Sequence, residues 1–261
     1  EGISSLQIKN CHPVSGRTKL NAVKIAMWSG PRNISTALMR SFENREDTFV
    51  SDEPFYAHYL QQTGIDHPLR KEVIEAGNSD WDEVSQYLTG IIPQDKSVWY
   101  QKHMAQHNLP GVDLDWTGRL TNCFLIRNPR EVILSYSKKY EITSVYQLGF
   151  PQQFELYDKI EQDSGMSPIV IDSKDVLMNP KNMLQKLCEK LEVPFSDKML
   201  SWSPGKRDSD GVWGQHWYGN VEKSTGFQAY QKKEEEMPKE YTEIYEECMK
   251  YYQQLFEQRI H

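Results

Sequence analysis

The sequence predicts a single α/β domain built on a central parallel β-sheet flanked by helices. Short apolar runs alternate along the chain with segments of helical spacing, the pattern of parallel strands joined by crossover helices. Each apolar run ends in a polar or charged group, and in such sheets ligands sit beyond the carboxyl ends of the strands. At 261 residues, one large domain is the simplest division.

Residues 1–20 are polar and aperiodic and read as a flexible N-terminal arm, leaving 21–261 as the α/β domain. Val23-Lys24-Ile25-Ala26-Met27 reads as the first buried strand. The next segment, Trp28 to Leu38 (WSGPRNISTAL), turns from that strand into a helix expected over 35–45. Thr48 to Ser51 is a second strand leading into Asp52-Glu53-Pro54, and a helix is expected over 80–89. Ser97 to Gln101 is a third strand leading into Lys102-His103. Leu120 to Ile126 is a fourth, ending at Arg127, with a helix over 129–140. A helix over 152–164, a strand Pro168 to Ile171 ending at Asp172-Ser173, and a helix over 180–191 follow. Residues 201–227, rich in Gly, Trp and charge, have no period; a loop of that length is usually functional or disordered, and its three tryptophans argue for order. The tail over 238–258 reads as a last helix with a docking stripe of Tyr245, Met249, Tyr252 and Phe256.

The turn after the first strand has the layout of a phosphate cradle. The first amides of a helix lack partners within it and point at whatever lies beyond its end. Gly30, Pro31, Arg32, Asn33 and Ile34 form the turn, Arg32 adds a fixed charge, and Ser35 and Thr36 add hydroxyl donors. The nucleotide-triphosphatase pattern G-x-x-x-x-G-K-[ST] is absent: Gly30 is followed five positions on by Ser35, with no Gly-Lys pair. That displacement fits a nucleotide whose transferred group needs less charge neutralisation than a phosphoryl group. The alternative is an ordinary strand-turn-helix corner. Arg127-Asn128-Pro129, with Ser135 eight residues after Arg127, is the second constellation: a strand ending in Arg, Pro at the first helical turn, and a hydroxyl about two turns along. Arg can grip a phosphate with two hydrogen bonds at once, which Lys cannot.

Composition narrows the partners. Net charge is −7, from 30 basic and 37 acidic residues, which argues against a nucleic-acid partner. Cys11, Cys123, Cys188 and Cys248 match no zinc spacing and read as thiols of a reducing, cytoplasmic compartment. There is no run of 18 apolar residues and no leader pattern, so no membrane span is expected. The chain begins with Glu, which fits a piece of a longer protein. No dimerisation motif stands out.

On Pro31-Arg32 with Ser35-Thr36, and on Arg127 with Ser135, the chain resembles the sulfotransferases that use 3′-phosphoadenosine 5′-phosphosulfate (PAPS). In that family a strand-loop-helix with Pro-Lys/Arg and Ser/Thr grips the 5′-phosphosulfate, and an Arg with a Ser eight residues later grips the 3′-phosphate. The resemblance covers roughly residues 22–228 and looks closer to the diverse bacterial and lower-eukaryotic group than to the steroid and phenol enzymes. It implies a P-loop-like nucleotide-binding fold, PAPS as donor, adenosine 3′,5′-bisphosphate as product, and a small-molecule hydroxyl acceptor. It also places a nucleotide-covering segment late in the chain, for which Gly205-Lys206-Arg207 and Gly211-Val212-Trp213 are the matches. No metal is expected, because basic side chains can meet the lower charge of a sulfuryl group and the fourth strand ends in Arg127 rather than Asp.

Two residues could take the acceptor's proton. His103 resembles the His of the family's Lys-Thr-His element, here Gln101-Lys102-His103, and its ordinary pKa suits base catalysis. Glu53, 21 residues after Arg32, resembles the glutamate base of glycosaminoglycan-type and bacterial members, and would need burial to raise its pKa. Lys102 could stabilise the bridging oxygen. Trp28, Phe55, Tyr56, Trp213 and Trp217 could line the acceptor and adenine pocket, with core packing as the alternative for each aromatic, and His216 is a third candidate base that fits better as lining of the acceptor pocket. Two rival functions remain: a magnesium- and ATP-dependent small-molecule kinase, disfavoured by the absent Gly-Lys pair, and a non-catalytic nucleotide-binding domain of the same fold.

Overall fold

A computed structural model describes residues 22–261; the expected arm over 1–20 and Cys11 lie outside the described residues. Five strands form one parallel sheet: β1 (Val23–Ser29), β2 (Thr48–Asp52), β3 (Val98–Met104), β4 (Thr121–Ile126) and β5 (Ile169–Asp172), in the order β2-β3-β1-β4-β5. Among the described residues ten α-helices lie between and after them: α1 (Ser35–Glu43), α2 (Tyr56–Thr63), α3 (Arg70–Ala76), α4 (Trp81–Thr89), α5 (Pro129–Tyr136), α6 (Phe150–Ser164), α7 (Ser173–Met178), α8 (Pro180–Lys190), the single turn α9 (Gly214–Trp217) and α10 (Thr242–Glu257).

The sheet is buried on both faces, and the two-residue period of each strand sorts its side chains between two cores. Ile25, Met27, Tyr100, Cys123, Leu125 and Ile171 face α1, α7 and α8. Ala26, Trp28, Trp99, Phe124 and Val170 face α4, α6 and α10. The chain leaves β1 toward β2 on one side and later returns through β4 on the other, so the strand order reverses around β1. The crevice of such a sheet opens at the carboxyl end of that strand, where Ser29 is level with Met104 of β3 and Leu125 of β4.

All five expected strands and the expected helices are present, with ends shifted by a few residues. Helices α2, α3, α7 and the single turn α9 were not expected: α2 buries only Tyr56, Ala57, His58 and Leu60, α3 only Val73, α7 only Ser173 and Val176, and α9 only Gly214. So little apolar surface leaves no legible stripe. The segment 201–227 is ordered as its tryptophans required; Trp202 bonds Ser224 and Thr225 and closes the segment on itself.

Asp172 is a strand-end group with a structural post. Its carboxylate accepts from Lys174 N at 2.7 Å, capping α7, and from the Tyr252 hydroxyl at 2.8 Å, docking α10 onto the sheet. Burial pushes this carboxyl up to about 6. A folded value above the unfolded one means the folded state holds the extra proton between about pH 4 and 6. The contribution of Asp172 to stability therefore falls as pH rises through that window, by about 2–3 kcal/mol, and stays lower above it. Asp172→Asn is expected to flatten that part of the profile, read as the difference in thermal midpoint between the two proteins from pH 4 to 7.

Candidate functional site

The turn after β1 is shaped by close packing. A side chain at position 30 would put its Cβ 2.7 Å from the Leu148 carbonyl oxygen, so only Gly fits. Arg32 adopts a left-handed backbone (φ +57°), a strained state for a residue with a side chain. Asn33 braces the turn: its Nδ2 donates to Leu125 O at 2.9 Å and its Oδ1 accepts from Ile34 N at 2.9 Å. Ile34 precedes α1 and offers no side-chain cap, so the helix's first amides, with the Ser35 and Thr36 hydroxyls beside them, are left for an outside acceptor.

The second constellation folds onto this turn. Asn128 caps α5 by accepting from Arg130 N at 3.0 Å, and Pro129 opens the helix. Arg127 donates to the Arg32 carbonyl at 2.9 Å and, through Nε, to Glu131 at 3.0 Å. Arg32 Nε donates to Ser135 Oγ at 2.9 Å. The two constellations, 95 residues apart from Arg32 to Arg127, are thus one cluster. Its cations crowd each other: burial first, then Arg127, holds the Arg32 guanidinium below its ordinary value.

Lys233 also joins this cluster, and sequence reasoning missed it. It donates to Glu131 O at 3.0 Å, and burial first, then Arg127 and Lys138, lowers it. Its segment is strapped to α5 by Arg130, which donates to Lys233 O at 2.8 Å, and by Tyr230, whose hydroxyl donates to Glu131 at 2.7 Å. The available signal was the pair Lys232-Lys233 following Tyr230. By contrast, the expected basic residues of the late loop lie elsewhere. Lys206 is exposed, and Arg207 is bonded to Ser203 O at 3.0 Å and lies 3.9 Å from Glu43, at the far end of α1 from the turn.

Two strands away from the cluster's centre stands Glu53. It follows the last residue of β2 in a left-handed turn (φ +42°), its N–H donating to Lys102 O and its C=O accepting from Tyr56 N. Its side chain, 11% exposed, accepts from Lys102 and lies 4.0 Å from His107 Nε2. Burial pushes the Glu53 carboxyl up, aided by Asp52 and opposed by Lys102. Lys102 is sealed from water and binds Asp52 at 2.8 Å, Glu53 and the Tyr218 hydroxyl at 2.9 Å. Burial opposes its charge, but Asp52 and Glu53 outweigh burial and hold the ammonium well above its ordinary value. With that many partners Lys102 is not free to meet a bridging oxygen.

The reading of His103 as a strand-end group is corrected. β3 runs on to Met104, so Lys102 and His103 are consecutive strand residues and point to opposite faces. His103 lies under Trp28, ring centroids 4.3 Å apart, with Phe55 and Trp116 beside it and Nε2 on Gln101 at 3.2 Å. Burial first, then Lys102, lowers it to about 3, so it is neutral at physiological pH.

Trp28 and Phe55 are corrected too. Both are core side chains, Trp28 donating to Asn122 at 3.0 Å and Phe55 stacking on Trp81 at 4.0 Å. Tyr56 and Trp213 stand on the Glu53 side, and His216 and Trp217 beside Tyr140. Tyr56 stacks on His107 at 4.9 Å and meets Trp213 edge-on at 5.1 Å. Trp217 lies 5.5 Å from Tyr140, and His216 contacts the Tyr140 hydroxyl at 3.3 Å. The charges of Glu53 and Arg32 both reach this wall, the first at Tyr56 and the second at Tyr136 and Tyr140. Among the described residues no three His, Cys, Asp or Glu side chains gather as a metal site, and no helix is long and apolar enough to cross a membrane.

The family profile described as "Sulfotransferase domain" matches residues 23–258. Two Arabidopsis thaliana proteins are similar to this chain. Branched-chain-amino-acid aminotransferase-like protein 2 is 34% identical over 230 residues, and its namesake protein 1 is 36% identical over 231. Each alignment covers 87% of this chain and 40% of the relative, so the chain spans about 40% of their length. Among solved structures, the sulfotransferase domain from the curacin biosynthetic pathway superposes with a TM-score of 0.50 at 15% identity, covering 89% of this chain and 99% of that one. A sulfotransferase from Alicyclobacillus acidocaldarius gives 0.52 at 10% identity, covering 91% and 97%. At those identities the likeness is one of fold.

Two outcomes follow from the packing. Gly30→Ala is expected to lower stability by about 1–3 kcal/mol in a denaturant titration, as overpacking does. Gly118→Ala, where a Cβ meets nothing within 4 Å, is its control and should change little. The His103 imidazole, assigned by its loss in His103→Gln, is expected to keep a neutral NMR signature from pH 5 to 8.

Proposed function

This chain belongs to the sulfotransferase family, and on that premise we propose that it transfers a sulfuryl group from PAPS to a hydroxyl of a small-molecule acceptor, with residues 22–261 as the catalytic module. The observation that carries the proposal is the joining of Arg32, Ser135 and Arg127 into one cationic cluster beside an uncapped helix N-terminus. A ligand with phosphate on both its 5′ and 3′ sides meets both halves of that cluster at once. Gly30 lets the turn lie close against Leu148, and the amides of α1 with Arg32, Ser35 and Thr36 hold the 5′ side. Arg127, Ser135 and Lys233 hold the 3′ phosphate.

Glu53 is the base in this reading. It lies across β3 from β1, roughly 10 Å from the cradle at ordinary strand spacing, which leaves room for an acceptor between them. Burial keeps its carboxyl basic enough to take a proton, whereas His103 is enclosed and neutral. As the acceptor oxygen bonds to sulfur, its proton passes to Glu53. The bond from sulfur to the bridging oxygen breaks, and the charge left on the 5′-phosphate falls to the α1 amides and Arg32. Lys102 orients Glu53. Tyr56, Trp213, His216 and Trp217 are the acceptor side of the cleft.

The transfer requires no metal in this reading, since Arg32, Arg127 and Lys233 supply the positive charge that meets the donor. The kinase alternative lacks a strand-end Asp after β4, where Arg127 stands. The aminotransferase-like name of the Arabidopsis relatives describes proteins whose length this chain covers only to 40%. We therefore place no transamination chemistry in the cleft.

Calorimetry is expected to show adenosine 3′,5′-bisphosphate binding without magnesium, and ATP binding more weakly; tighter binding of ATP with magnesium overturns the reading. Arg127→Ala should cost about ten- to a hundredfold in affinity for the bisphosphate while leaving adenosine 5′-phosphate little changed. At saturating donor, Glu53→Gln should lose about 10²–10⁴-fold in kcat, and His103→Gln, once folded, should not.

A further inference from the structure

The segment 207–218 is tied to α1 and to the end of β2 by contacts that lie outside the Arg32–Arg127 cluster. Asp210 meets the fully buried Arg40 of α1 at 2.6 Å and accepts from Arg207 N at 2.9 Å. Gly211 N donates to Asp52 Oδ2 at 3.2 Å. The Tyr218 hydroxyl donates to Asp52, 2.9 Å from one oxygen and 2.7 Å from the other, while accepting from Lys102 and, at 3.1 Å, from Trp213 Nε1. Asp52 is therefore the point where the late segment, the buried lysine and the neighbour of Glu53 meet.

Charge balance gives this meeting a consequence. One ammonium, Lys102, stands between two carboxylates, Asp52 and Glu53. If Lys102 served Glu53 alone, the pair would be a closed ion pair and Glu53 a poor proton acceptor. Asp52 draws the ammonium to itself and adds a like charge beside Glu53, and Tyr218 and Gly211 fix Asp52 in that place. The other titratable groups facing Glu53 are His107, which burial first and then Lys102 keep neutral, and Tyr56 and Tyr218, whose buried phenols keep their protons.

Resting on the reading of Glu53 as the base, we propose that Asp52 and Tyr218 are positioning residues for it: they hold Lys102 in shared use, so that the segment 207–218 must be docked for Glu53 to accept the acceptor's proton. The late segment then completes the base.

The test is an NMR titration of the full chain labelled with 13C at the glutamate carboxyls, the Glu53 signal being assigned by its loss in Glu53→Gln. Asp52→Asn removes the like charge and leaves Lys102 to Glu53, so the Glu53 midpoint should move down by about one pH unit. Tyr218→Phe keeps the ring and removes the hydroxyl. Hydrolysis of PAPS with water as acceptor, followed by release of adenosine 3′,5′-bisphosphate, should then slow about tenfold as Glu53 loses its alignment, with bisphosphate affinity unchanged. An unmoved Glu53 midpoint in Asp52→Asn overturns the proposal even where Glu53→Gln is inactive and Glu53 stands as the base. Full activity in Glu53→Gln overturns that reading and the proposal with it. If Asp52→Asn does not fold, Tyr218→Phe decides: a midpoint and a hydrolysis rate both equal to those of the unaltered chain overturn the proposal.

Discussion

A lysine ammonium cut off from water needs its own ring of counter-charges, and that requirement at Lys102 organises one side of the crevice. An isolated buried charge is untenable, and removing one partner of a buried pair typically costs about 3–5 kcal/mol. Lys102 is met by Asp52, Glu53 and Tyr218, which come from the end of β2, the turn after it and a segment more than 150 residues later. No element supplies the ring alone, so β2, β3 and the late segment have to arrive together. The strained turn at Glu53 is held by the same arrangement: its N–H bonds the Lys102 carbonyl and its side chain the Lys102 ammonium.

The other side of the crevice has the opposite imbalance. Arg32, Arg127 and Lys233 approach one another with Glu131 as the nearby carboxylate, and an uncapped helix end adds partial positive charge. One bank of the cleft is therefore short of anions and the other carries a carboxylate raised by burial, with aromatic side chains between. In the proposed transfer the first bank meets the anionic donor and the second takes the proton, and the sheet sets their separation. Strained backbone at Arg32 and at Glu53 marks both banks.

Much of this arrangement is legible in the sequence. Gly30, Arg32, Arg127 and Ser135 stand out because a strand-turn-helix corner and a strand ending in Arg are local patterns. Glu53 stands out because it follows a strand. His103 was misplaced because β3 runs three residues past its apolar part: Lys102 and Met104 stay in the strand, where the ladder to β1 and Lys102's counter-charges hold them. Trp28 and Phe55 belong to the core because an aromatic residue looks alike in a pocket and under a helix until its neighbours are known. Lys233 escaped notice because its one local signal, the pair Lys232-Lys233, looks no different from Lys206-Arg207; only the packing of 230–235 on α5 brings it to Arg127.

The sequence by itself determined the five strands, the helices with a broad apolar stripe, and the two strand-turn-helix corners at Gly30 and Arg127, because period, turn residues and caps act over a few positions. Tertiary structure alone decided that the two corners form one cluster, that Lys102 and His103 face opposite cores, and that a tyrosine far down the chain closes on Asp52. Those outcomes depend on strand order and on where a buried charge finds its partners, and neither is encoded within the span of a local pattern.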